Sequence, residues 1–298
     1  MFHRHLTCIA LAVGLGFPGA AFAKVRVTAS INDLASIASS VGGDQVEVSA
    51  IARPTTDVHR VEVLPSYMVK VSKAQIYLKV GLGLDQWADG IVDGSRNEHL
   101  LLVDCSAGVS VLEKPTGAVN ASMGDVHPNG NPHFWLDPRN GAIVARTIAT
   151  ALSKVDPAHA GDYSARAEAF AKEAQKTWAE TKAKADALPA KTMITYHRSW
   201  TYFGDAFGIE IAGEAEPVPG IPPTAKHLGD LVALVKARKI PILLQEPYFS
   251  SDAGKFLSRE TGLRVVVASQ SCDAPTAGSY LAHFQDVMSA LAGSGTPQ

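Results

Sequence analysis

One nearly unbroken helical run near the middle of the chain constrains its fold more than any other feature. From Asp156-Pro157 to Pro189 the one breaker is Gly161, close to the start, and the rest is mostly Ala, Glu and Lys with spaced aromatics. Tyr163, Phe170 and Trp178 fall on one face of such a helix. Asp156 can cap it and Pro157 can fill its first turn. The spacing predicts a linking helix over 156–188, roughly thirty residues where about a dozen is ordinary. Its central position makes it a brace joining two halves.

On either side, short apolar runs alternate with amphipathic ones. In the first half, "KVRVTAS", "QVEVSAIAR", "QIYLKVG" and "HLLLVDCS" read as strands, with "INDLASIASSVG" and "LPSYMVKVSKA" as helices. The second half repeats the rhythm with strands "KTMITYH", "IEIAGEA", "IPILLQEP" and "LRVVVASQ". Its helices are "SWTYFGDAFG", "AKHLGDLVALVKARK", "SSDAGKFLSRETG" and "GSYLAHFQDVMSALAG". Strand–helix–strand order favours right-handed crossovers and parallel sheets. The expected fold is α/β, with two similar lobes over 24–155 and 189–298 and a cleft between them.

The first 23 residues, "MFHRHLTCIALAVGLGFPGAAFA", have a short basic start, an apolar run and small residues at Ala21 and Ala23. That is the anatomy of a cleavable secretory signal, so a periplasmic protein beginning at Lys24 is expected. Cys8 precedes the apolar run, which argues against a lipid anchor. Only Cys105 and Cys272 follow, and either one disulfide or two buried thiols fits them. A net charge of −2 with no basic stripe gives no reason to expect nucleic acid.

In parallel α/β sheets, ligands gather outside the carboxyl ends of strands. Three histidines stand at such places: His59 after "VEVSAIA", His133 in the long loop after "LLLVD", and His197 directly after "MITY". One histidine at a strand end is more often a hydrogen-bonded structural residue; three together shift the balance toward ligands. Imidazoles from separate segments suit Zn²⁺, which takes borderline-soft nitrogen donors and a fourth donor of oxygen or sulfur. His99, His159, His227 and His283 read as surface or boundary residues; His127 fits either an auxiliary ligand or a loop residue, and the loop is the favoured reading.

The chain resembles the periplasmic zinc and manganese receptors of ABC importers. The resemblance rests on "DVHRVEVLPS", "VGLGLDQW", "NPHFWLDP", "YHRSWTYFGDAFG" and "EPYFSSDAGKFLSRETG". It implies two α/β lobes joined by a rigid helix, and metal-ligand roles for His59, His133 and His197. Two places depart from that pattern. The segment "EKPTGAVNASMGDVHPNG" is short and holds one histidine, and Ser269 stands where the family's late aspartate would be. Glu246, ending the strand "IPILLQ", is the expected fourth metal ligand, with Asp273 or water as alternatives.

The expected function is a monomeric zinc receptor that carries Zn²⁺ as transported ligand to a membrane permease, with no reaction of its own. A manganese receptor is the alternative within the class, disfavoured by a third histidine where harder oxygen ligands would suit Mn²⁺. An exported zinc hydrolase with Glu246 as base is a reading from another class, but no HExxH motif is present. A receptor for a non-metal solute would leave the histidines incidental.

Overall fold

The computed structural model describes residues 23–117, 119–120 and 123–293. The proposed signal, residues 1–23, lies almost wholly outside them. The first sheet holds β1 (Val25–Ala29), β2 (Val46–Ala50), β3 (Ile76–Lys79) and β4 (Leu101–Asp104) in the order β2-β1-β3-β4. The second holds β5 (Thr192–Thr195), β6 (Glu210–Glu214), β7 (Ile242–Gln245) and β8 (Arg264–Val267) in the order β6-β5-β7-β8. Every pairing is parallel. Each lobe therefore turns all its strand carboxyl ends toward one side, where the three histidines leave the sheets.

Helices α1 (Asn32–Gly42), α2 (Pro65–Ser72), α3 (Trp87–Ser95) and α4 (Pro138–Val155) belong to the first half. The long helix α5 spans Ala160–Asp186, 27 residues, and is shorter at its start than the sequence suggests. Asp156 ends α4 instead of capping α5. Its carboxylate accepts from Tyr163 Oη at 2.6 Å and pairs with His159 Nδ1 at 2.6 Å, while Pro157 opens a 3-10 turn. Two elements thus replace one continuous helix at the boundary.

The bracing role rests on which faces α5 buries. Tyr163, Ala167, Phe170, Ala174, Thr181 and Ala185 are buried along it, and it packs against α1, α4, α6 (Thr201–Phe207) and α9 (Ser279–Ala292). Trp178 Nε1 donates to the Ala206 carbonyl at 2.9 Å, tying the helix to the second lobe. The remaining helices, α7 (Ala225–Arg238) and α8 (Asp252–Thr261), cover the second sheet.

One apolar core runs through both lobes. It joins Leu34, Ile37 and Trp135 to Trp200, Phe203, Phe207, Tyr280 and Phe284. The chain's last segment contributes most to this continuity, because it returns to the first lobe. Asn32 Nδ2 donates to the carbonyls of Cys272 and Asp273, both at 3.1 Å. Ser36 Oγ donates to the Thr276 carbonyl at 2.6 Å, and Tyr280 Oη to the Trp135 carbonyl at 2.7 Å. A shared core and a continuous brace leave no hinge between the lobes. Small-angle scattering of metal-free and zinc-loaded protein is therefore expected to give the same radius of gyration; a large compaction would contradict this rigidity.

Cys105 and Cys272 are both free and buried, so the alternative of two buried thiols holds.

Candidate metal centre

His59, His133 and His197 converge. Each offers one ligand atom, and those atoms lie within 4.8 Å of one another. Ring centroids are 5.1 Å apart for His59 and His133, 5.1 Å for His59 and His197, and 5.8 Å for His133 and His197.

The local sequence explains how each ring is aimed. In Asp57-Val58-His59, Val58 is buried in the core and its carbonyl accepts from Trp87 Nε1 at 2.9 Å. Asp57 Oδ1 then accepts from both the backbone N of His59 at 2.9 Å and its Nδ1 at 2.8 Å. Asn131-Pro132-His133 repeats the device: Asn131 Oδ1 accepts from His133 N at 3.0 Å and Nδ1 at 2.9 Å. Asn131 is oriented by donating through Nδ2 to Glu113 Oε2, at 2.8 Å, and to the Arg198 carbonyl, at 3.0 Å. His133 opens a 3-10 turn whose Phe134, Trp135 and Leu136 are all buried, which accounts for an apolar triplet straight after a polar ring. Asp137 then accepts from Arg139 N at 2.8 Å and caps α4, with Pro138 in its first turn.

His197 leaves the end of β5, and its Nδ1 meets Glu216 Oε2 at 2.7 Å. Glu216 also accepts from Gly220 N at 2.8 Å. Sequence reasoning did not single out Glu216 or Asn131. Their signal was position alone: Glu216 follows β6 at the same sheet edge as His197.

With Nδ1 of each imidazole directed to an outer acceptor, the proton sits there and the Nε2 lone pair faces inward. The Nε2 atoms of His59 and His133 are buried with no hydrogen-bond partner. Burial lowers the His133 pKa well below its ordinary value, and the neighbouring imidazoles push the same way. Burial also opposes charge on His197, but the Glu216 hydrogen bond and the nearby carboxylates outweigh it and raise its pKa. The site thus directs imidazole nitrogens inward and holds the rings from outside by the Asp57 and Glu216 carboxylates and the Asn131 amide, an arrangement that suits a borderline-soft divalent cation.

Glu246 stands outside the group of converging ligand atoms. It is fully buried, its Oε1 accepts from Trp200 Nε1 at 3.0 Å, and burial pushes its pKa up to about 7. Its charge acts on His197 at a distance. Ser269 donates to the Pro54 carbonyl at 2.8 Å and so links the lobes, while Asp273 is exposed. His127 stands beside His59, with ring centroids 5.4 Å apart and the rings stacked. His283 is more enclosed than a boundary residue: its Nε2 is shut off from water, and burial lowers its pKa to about 4.

Residues 27–294 match the family described as zinc-uptake complex component A, periplasmic. The chain is 26% identical over 247 residues to the iron-binding protein YfeA of Yersinia pestis, covering 80% of this chain and 75% of that one. It is 27% identical over 255 residues to the manganese ABC transporter substrate-binding lipoprotein PsaA of Streptococcus mitis, covering 81% and 78%. A crystal structure of ZnuA superposes with a TM-score of 0.78 at 27% identity, over 92% of this chain and 100% of that one. The FpvC solute-binding protein of Pseudomonas aeruginosa, solved with Mn²⁺, shares the fold at a TM-score of 0.76 and 23% identity, over 91% and 98%. Sequence, fold and a three-imidazole cluster between parallel sheets agree, and the chain belongs to the ZnuA family of periplasmic metal-binding receptors of ABC importers.

Proposed function

We propose that this protein captures one Zn²⁺ through His59, His133 and His197 and delivers it to a membrane permease, with no chemical reaction of its own. The observation that carries the reading is the set of three converging imidazoles, each oriented by an outer acceptor. Relatives are named for iron and manganese as well as zinc. The donors here are nitrogen, whereas Mn²⁺ favours carboxylate and carbonyl oxygen. Glu246 supports His197 through charge, and the lobes of 24–155 and 189–298 supply two ligands and one respectively.

A competition titration of metal-free protein tests this: one Zn²⁺ per chain, bound in preference to Mn²⁺, is expected. Tighter binding of Mn²⁺, or no zinc, would overturn the reading. The pH dependence follows from His197. Its raised pKa means that protonation competes with zinc already above the ordinary histidine value of about 6.5. Below its folded pKa, affinity should fall about tenfold per pH unit while this one proton is displaced. The metal-free fold responds with the opposite sign. A raised pKa in the folded state stabilises below the unfolded value, and that gain is lost as pH rises through the folded value.

A further inference from the structure

Resting on this zinc reading, we infer that His127 supplies a fourth nitrogen donor, making the site one of four imidazoles. The ring is the stacked neighbour of His59, its Nε2 is buried, and that atom has no hydrogen-bond partner. A buried polar atom left unpaired is costly, and natural folds rarely keep one without a use.

The tautomer agrees with the other three rings. His127 is hydrogen-bonded to the backbone of Gly83, and since Nε2 has no partner the bond runs through Nδ1. The proton therefore sits on Nδ1, and the Nε2 lone pair is left free for a cation.

The segment carrying His127 is held from both lobes. Asp125 N donates to the Pro219 carbonyl at 2.8 Å, and Asn131 N to the Leu112 carbonyl at 2.9 Å. Arg60 lies 3.6 Å from Asp125 on the side of the first lobe. Gly124 and Gly220 both have positive φ, 69° and 77°, where side chains are strained. A Cβ on Gly124 would strike the Pro219 carbonyl, and one on Gly220 the Asp125 carboxylate. Two glycines thus permit the close approach that sets His127 over the cleft, next to the turn that also holds Glu216.

The rival donors are otherwise placed. Glu246 accepts from Trp200 through Oε1, Ser269 is bonded to Pro54, and Asp273 is exposed. His127, like Glu246, stands outside the three atoms that lie within 4.8 Å of one another, and joins them through the stacked ring of His59. Four neutral nitrogens leave the cation's double charge uncompensated by any ligand. Such a site accepts Zn²⁺ and the neighbouring nitrogen-seeking ions Co²⁺, Ni²⁺ and Cu²⁺, and discriminates against the harder Mn²⁺.

Zinc X-ray absorption on the full zinc-loaded chain counts the imidazoles directly. Wild type is expected to show four, His127→Ala three, with zinc affinity by competition lower by at least about tenfold. His127→Gln, which preserves bulk, is expected to lose affinity similarly. Three imidazoles in wild type, or unchanged affinity and count in both variants, would overturn the role of His127 while leaving the three-histidine site intact. A wild type that binds no zinc would refute the zinc reading itself.

Discussion

His59→Ala is expected to lower zinc affinity by more than about 100-fold. Loss of an outer partner of a ligand histidine alone costs about 10–100-fold, and removing His59 takes away the donor as well as the link to Asp57. His59 is also the ring that meets the other three, at 5.1, 5.1 and 5.4 Å from His133, His197 and His127. A chelator competition on both proteins measures the effect, with His227→Ala as control. His227 bonds the Glu214 carbonyl at 2.9 Å and caps no ligand, so its removal should leave affinity unchanged. Equal affinity in wild type and His59→Ala would remove the centre as described.

Trp135→Ala is expected to cost about 3–5 kcal/mol of folding stability, the range for emptying a buried aromatic site. Trp135 is 1% exposed, its Nε1 donates to the Gln270 carbonyl at 2.8 Å, and its ring lies 5.2 Å from His133. The substitution opens a large cavity and leaves the Gln270 carbonyl unpaired where water does not reach. Urea unfolding followed by circular dichroism should show a lower midpoint in a single transition, because the core spans both lobes. Two separated transitions in wild type would show that the lobes unfold independently and contradict that continuity.

What could be read from the sequence was local. Strand and helix periods gave both sheets and the rhythm of each lobe, and the histidines at strand ends pointed to the cleft. Four features lay beyond that reach. Helix α3, with Gly90, Gly94 and two aspartates, has poor helix formers. It is anchored by tertiary bonds instead: Asp85 accepts from Val80 N at 2.7 Å and Ser30 Oγ at 2.5 Å, and Trp87 reaches Val58. Glu216 carries no motif, and its partnership with His197 appears only when β6 pairs with β5. Glu246 has the right charge and sheet edge for a ligand, but its full burial, with Oε1 accepting from Trp200 and Oε2 unpartnered, appears only in the folded chain. His127 sits among loop-forming residues, and only the cross-lobe contact at Gly124 and Gly220 places it beside His59.

The return of the last segment to the first lobe fixes the order in which the molecule can be finished. Asn32 and Cys272 are bonded across 240 positions of sequence, and Tyr280 closes on Trp135 across 145. Contacts of such separation form late, since the intervening chain must first be gathered in. A chain emerging from its amino end can pair β1 to β4 early, but the wall behind His133 stays open until residues 270–284 arrive. Metal capture is thereby coupled to completion of the polypeptide, and a nascent or C-terminally clipped chain presents its histidines without the enclosure that makes them a site.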